Sequence, residues 1–241
     1  MENMENFMVK SYIWTFVNRF VHALLIVLLA LAYLSSDFDS LLYYHALFGV
    51  LFGVVVFFRI IWGFVGTRYS LFKDFNFKGV KEYLISILKD KKKFTGHNPA
   101  SSIAIISMLV LGILIFITGM MALGVEEKAG FFANLHFGYG YKFFKHLHEF
   151  FVNIFVFIAI VHIIGVLIDK FYNKCDALDS MIYGYKTTQK DESVSLNIFQ
   201  KLLFAVFLIL LVVLFFYLLD PNNKIIGIDQ NSTFVSNFLY Q

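Results

Sequence analysis

The chain has 241 residues, of which 59% are hydrophobic, 19% aromatic and only 15% charged, with a mean hydropathy of +0.72 and a formal charge of +3. This composition excludes an ordinary soluble globular domain. The single cysteine, Cys175, excludes a disulfide framework and a cysteine-ligated iron–sulfur cluster.

Five apolar runs, at about 13–34, 43–65, 101–123, 148–169 and 197–219, are each long enough to cross a hydrocarbon core of about 30 Å as an α-helix. The first run carries Arg19 and His22, is long, and lacks a small-residue cleavage site, so it reads as a retained span rather than a signal peptide. A short loop, 35–42, makes the first two spans an antiparallel hairpin. In the long connection 66–100, residues 79–89 have the amphipathic pattern of a helix lying on the membrane surface. Gly96-His97-Asn98-Pro99 then predicts a turn, with Pro99, Ser101 and Ser102 opening the third helix. The connection 124–147 holds Glu126, Glu127 and an aromatic, Gly-rich stretch suited to the headgroup region. Residues 170–196 read as a polar linker. The fifth span has no ionisable residue between Lys201 and Asp220 and reads as an anchor or docking helix, followed by a short tail.

The expected fold is therefore all-α and integral to the membrane: a four-helix transmembrane bundle in residues 1–190, with a fifth C-terminal helix and short external tail in 191–241. The segments on one side, before the first span and at 66–100 and 170–196, carry one, eight and four Lys/Arg residues; those on the other carry none, three and one. The positive-inside rule puts the N-terminus in the cytoplasm and the C-terminus outside. Topology and lipid headgroups account for the Lys-rich loop without nucleic acid.

Four histidines, His22, His45, His148 and His162, lie inside these apolar runs, where a titratable ring needs a partner. His148 and His162 are 14 residues apart on one helix, close to four full turns, so both project from one face about 21 Å apart. Counted from the cytoplasmic ends, His22 and His162 fall at depths of about 13 and 10 Å, and His45 and His148 at about 30 and 31 Å. The spacing therefore predicts two levels with one histidine pair at each. Neutral imidazole is an axial ligand for haem iron, and bundle cores house cofactors between facing helices. Two bis-histidine b haems follow, not c-type haems, because there is no C-x-x-C-H. Arg19 is one turn from His22, and Arg59 lies 14 residues after His45. Both arginines belong at the inner level, where they can pair with haem propionates. His146 faces away from the His148 side, His136 reads as interfacial, and His97 with Arg68 marks a candidate quinone site on the cytoplasmic side.

Taken together, Arg19-x-x-His22, His45-x-x-x-Gly49, Arg59-x-x-Trp62-Gly63, Gly96-His97-Asn98-Pro99, Thr118-Gly119, His148-Glu149, His162-x-x-Gly165 and Met181-x-x-Gly184 span about 12–190. In this order they make the chain resemble the bacterial cytochrome b561 and nickel–iron hydrogenase b-type cytochrome superfamily. The resemblance implies a di-haem cytochrome b of the inner membrane. It would pass electrons between the quinone pool and a redox partner, either a c-type cytochrome or a dehydrogenase or hydrogenase subunit. His22, His45, His148 and His162 match the haem-ligand positions. A membrane-anchor subunit of a nickel–iron hydrogenase is the alternative within the family. A proton or ion transporter with a histidine relay is the alternative from another class, although no Asp or Glu sits deep in a run as such a relay would need. The oligomeric state is left open, a homodimer included.

Overall fold

A computed structural model describes residues 8–86, 94–134, 142–220 and 222–227. Its elements in chain order are β1 (Val9–Tyr12), α1 (Phe16–Ser35), α2 (Leu42–Val65), α3 (Val80–Ser86), α4 (Pro99–Glu126), α5 (Lys142–Phe171), α6 (Ala177–Tyr183), β2 (Tyr185–Thr188) and α7 (Ile198–Leu219). Helices α1, α2, α4, α5 and α7 are the five expected spans, each long and apolar enough to cross a membrane. The observed α5 begins six residues earlier than its apolar core because KFFKHL continues the helix past the hydrocarbon-like run.

The helix ends are set by local chemistry. Asn98 caps α4, its side-chain carbonyl accepting from the Ser101 amide at 2.7 Å, with Pro99 occupying the first helical position. Asn197 and Gln200 form a reciprocal capping box at α7, with each backbone N–H bonded to the other's side-chain oxygen. At the end of α1, the hydroxyls of Ser35 and Ser36 donate to the carbonyls of Leu31, Ala32 and Tyr33, which otherwise have few partners in the last turn.

The chain divides into two compact units. The first comprises residues 1–22, 59–108 and 156–204. In it β1 and β2 pair antiparallel, with Val9 opposite Thr188 and Tyr12 opposite Tyr185. The segment 170–196, expected as a linker, is in fact largely structured: α6 ends on Gly184, whose φ of +92° reverses the chain into β2. Ile13, Trp14 and Tyr69 form a buried cluster beneath this ribbon, with Met181 and Val194 packed on it. α7 is tied into this unit by Gln200, whose amide donates to the Val65 carbonyl at 2.9 Å, and by Phe204 against Phe16 and Phe20. Within 79–89 the chain is helical as α3 as far as Ser86; residues 87–89 lie outside the described residues.

The second unit comprises residues 23–58, 109–155 and 205–241, described as far as 227 with the gaps noted. Here α2 and α4 approach closely. A Cβ on Gly53 would stand 2.2 Å from the Phe116 ring, and one on Gly112 3.1 Å from Val56. Small residues at such a crossing let apolar helices pack by contact area alone, since lipid supplies no hydrophobic drive between them. On the α7 side, Phe58 and Phe207 stack at 3.8 Å, and the Tyr43 hydroxyl donates to the Leu218 carbonyl.

A candidate bis-histidine centre and its companion

In the second unit, α2 carries His45 and α5 carries His148, with ring centroids 6.1 Å apart and planes at 88°. The His45 Nδ1 lies 2.8 Å from the Ala32 carbonyl of α1, and the His148 Nδ1 lies 3.0 Å from the Ile115 carbonyl of α4. A carbonyl only accepts, so each Nδ1 carries the hydrogen and each Nε2 keeps its lone pair for a ligand. Tying the distal ring nitrogen to a fixed acceptor is how proteins orient a metal-binding imidazole. Gly119 makes the second tether possible. A Cβ there would stand 3.0 Å from His148 Cε1 and 3.1 Å from its Nδ1. The Ile115 carbonyl points along the helix toward position 119, where glycine leaves the ring uncrowded. The Thr118 hydroxyl, 3.4 Å from the same Nδ1, completes the rim.

In the first unit, His22 of α1 lies within electrostatic reach of His162 of α5 and of Arg59 of α2. Arg59 stands over the Phe72 ring at 5.7 Å and makes only a long contact, 3.5 Å, to the Ser70 carbonyl. Among the described residues no carboxylate pairs with it. Arg19 donates through one terminal nitrogen to the Ile182 carbonyl at 2.7 Å, and its buried Nε has no partner.

His97 sits beside this group. Its ring is enclosed between Trp14 at 4.9 Å and Phe75 at 4.6 Å. Burial, reinforced by the nearby charges of Arg59, Lys186 and His162, pushes its pKa down to about 3, so the ring is neutral at physiological pH. The Lys186 ammonium donates to the carbonyls of Phe94, Thr95 and Gly96, the turn that delivers His97. Arg68, by contrast, is 62% exposed and faces Asp74 at 4.0 Å and the Tyr69 ring at 5.2 Å. The structure therefore gathers His97, Arg59, His22 and His162, while the Arg68 guanidinium turns to the surface. His146 pairs with Glu149 on the exposed face of α5, and His136 lies outside the described residues. Trp14, Phe75 and Lys186 escaped the sequence reading. Lys186 lay in a stretch read as linker, and only the pairing of two four-residue strands carries it inward.

The model of the prokaryotic cytochrome b561 family matches residues 13–184, most of the chain. The chain belongs to the prokaryotic cytochrome b561 family. It is also similar to a probable Ni/Fe-hydrogenase B-type cytochrome subunit of Rhodobacter capsulatus, 27% identical over 164 residues. That match covers 61% of this chain and 63% of the relative, so the chain spans less than two thirds of the relative's length. No solved structure matches the chain.

Cytochromes b561 carry b-type haem, and this member, a multi-pass membrane protein by its five apolar helices, has residues that fit one. Two imidazoles facing one metal from opposite sides, with bonds of about 2 Å and about 1 Å from nitrogen to ring centre, place their centroids about 6 Å apart. The His45–His148 separation of 6.1 Å meets that distance. Gly49 and Gly165 follow His45 and His162 by about one turn, and a Cβ at either would meet nothing within 4 Å, as a cradle for a flat macrocycle requires. The unpaired guanidinium of Arg59 and the orphaned Nε of Arg19 are donors of the kind a propionate carboxylate satisfies.

Proposed function

We propose that this cytochrome b561 holds two b-type haems and carries electrons across the cytoplasmic membrane between the quinone pool and a partner redox protein. His45 and His148 would hold one haem and His22 and His162 the other, with Arg19 and Arg59 as donors for propionates of the latter. Bound iron would supply a one-electron couple. Two neutral imidazole ligands favour electron transfer over oxygen binding. The Nδ1–H tethers to Ala32 and Ile115 hold both rings in one tautomer, so little reorganises when the charge on the centre changes. Arg59, a half-buried cation, would stabilise an added electron and raise the potential of a haem held beside it. The charge asymmetry of the loops supports a cytoplasmic N-terminus and an external C-terminus. That orientation puts His22, His162 and His97 on the cytoplasmic side, where the neutral His97 ring serves as a hydrogen-bond partner for a quinone carbonyl or hydroxyl.

The observation that carries this reading is the His45–His148 pair, two tethered rings at a single-metal spacing inside apolar helices. A narrower reading, the membrane cytochrome subunit of a hydrogenase, rests on the name of the relative. The test is a reduced-minus-oxidised spectrum with haem stoichiometry on protein purified from membranes. Two low-spin b haems per chain are expected, falling to one in His162→Ala with the His45/His148 haem retained. A well-folded, haem-supplied preparation that binds none refutes the reading, and retention of both haems in the variant refutes the pairing.

A further inference from the structure

A quinol that gives up two electrons must also lose two protons, and the cytoplasmic-side group of residues offers few places for them. The His97 ring is flanked by Trp14 and Phe75, and protonating it would add a cation beside Arg59 and Lys186. Asp169 is placed differently. It lies seven residues, about two turns, beyond His162 on α5, so it shares the ligand-bearing face and sits nearer the helix end. Its Oδ2 accepts from the Asn98 amide at 3.5 Å, and Asn98 is the residue next to His97. Its Oδ1 accepts from Asn173 at 2.9 Å. Asp169 is half-buried. The charged and titratable groups facing it from the packed elements are Tyr83 of α3, Lys186 of β2 and Cys175 of the turn after α5. Asp176 interacts with Lys186 in turn, and the adjacent Lys170 is taken up by Asp179.

We propose that Asp169 is the proton-exchanging group of the cytoplasmic-side quinone site, passing protons between the bound quinone headgroup and water. This rests on the quinone reading above. Each O–H bond of the quinol breaks, its two electrons leave one at a time to the one-electron couple that bound haem would supply, and each proton passes in turn to the Asp169 carboxylate, which returns it to the cytoplasm. In the reverse direction Asp169 supplies both protons. Protonation there neutralises an anion beside Lys186 and never places a new cation near Arg59, which the His97 route would do.

The test uses the full-length holoprotein in liposomes, with a water-soluble short-chain quinol as donor, comparing wild type with Asp169→Asn and Asp169→Glu. Quinol-driven haem reduction should slow by about 100-fold or more in Asp169→Asn, and the fall in rate toward low pH expected of wild type should vanish. Haem content, potentials and reduction by a chemical reductant should be unchanged, and Asp169→Glu should recover most of the rate. The redox-induced infrared difference spectrum of wild type with quinone bound should show a carboxyl C=O band that shifts in Asp169→Glu and is lost in Asp169→Asn. Wild-type rate and pH profile in Asp169→Asn overturn the proposal. If Asp169→Asn loses haem, the infrared band decides: its absence from wild type, or its failure to shift in Asp169→Glu, overturns it. A wild-type protein that no quinol reduces refutes the quinone reading itself.

Discussion

Gly119 is the position at which the proposed His45/His148 centre can be disturbed without touching a ligand. A Cβ there would stand 3.0 Å from His148 Cε1 and 3.1 Å from Nδ1, where unstrained carbon contacts fall at about 3.5–4.0 Å. In Gly119→Ala, His148 must therefore give way by a few tenths of an ångström. The Nδ1–H bond to the Ile115 carbonyl starts at 3.0 Å, and a shift of that size along the bond lengthens and weakens it. The combined cost of overpacking and a weakened bond is about 2–4 kcal/mol. Gly119→Leu places a branched side chain across the carbonyl and closes off the tether entirely. The assay is haem stoichiometry together with a potentiometric titration that resolves the two haems. Gly119→Ala should retain two haems with a shifted potential for one, and Gly119→Leu should retain one. The His22/His162 haem should be unaffected in both, since Gly119 belongs to the other unit. Two haems with wild-type potentials in an inserted, folded Gly119→Leu protein would refute the tethering argument.

Arg59→Met removes a half-buried cation that no protein carboxylate offsets among the described residues. At about 10 Å and an effective dielectric near 20 the loss is about 1–2 kcal/mol, so the potential of the neighbouring haem should fall by roughly 40–90 mV in redox titration while the other stays put. For His97 the folded pKa of about 3 lies below the ordinary value of 6.5, so the unfolded chain binds the extra proton first. The stability His97 confers in its neutral form is complete above about pH 6.5 and is lost progressively as pH falls toward 3. Thermal unfolding of His97→Phe should accordingly be less sensitive to acid than that of wild type between pH 7 and 5, and equal sensitivity would argue against a buried neutral ring.

The five spans were legible because each is a run of roughly twenty apolar residues, a signal that needs no tertiary information. The four histidines stood out for the same reason, being polar rings where hydrocarbon is expected. The approach of His45 to His148 and of His22 to His162 agrees with the pairing expected from rise per residue. The β1–β2 ribbon was not legible. Its strands are four residues long, neither shows a sustained alternation, and they pair across more than 170 residues. Lys186 and Trp14 acquire their roles only through that pairing, since one grips the His97 turn and the other covers the His97 ring. The split of 170–196 into α6 and β2 was hidden as well, because its polar composition suits a loop as well as a small folded segment.

The tethers at the His45/His148 pair show why candidate ligands can be proposed from sequence while their tuning cannot. Each ring is held by a backbone carbonyl of a different helix, Ala32 of α1 for His45 and Ile115 of α4 for His148. A backbone acceptor has no residue type to recognise. Only Gly119, through the space it leaves, marks one of the two in the sequence. The choice of acceptor matters chemically. A carboxylate partner would draw the Nδ1 proton toward itself, make the imidazole a stronger donor and favour the oxidised iron. A neutral carbonyl leaves the ligand an ordinary imidazole, so in an apolar setting the reduced state is disfavoured less. With these tethers the His45/His148 haem should sit at a higher potential than the same pair held by carboxylates. Engineering one offers the contrast: Thr118→Asp places a carboxylate where the Thr118 hydroxyl now stands 3.4 Å from His148 Nδ1, and would be expected to move the balance toward the oxidised state.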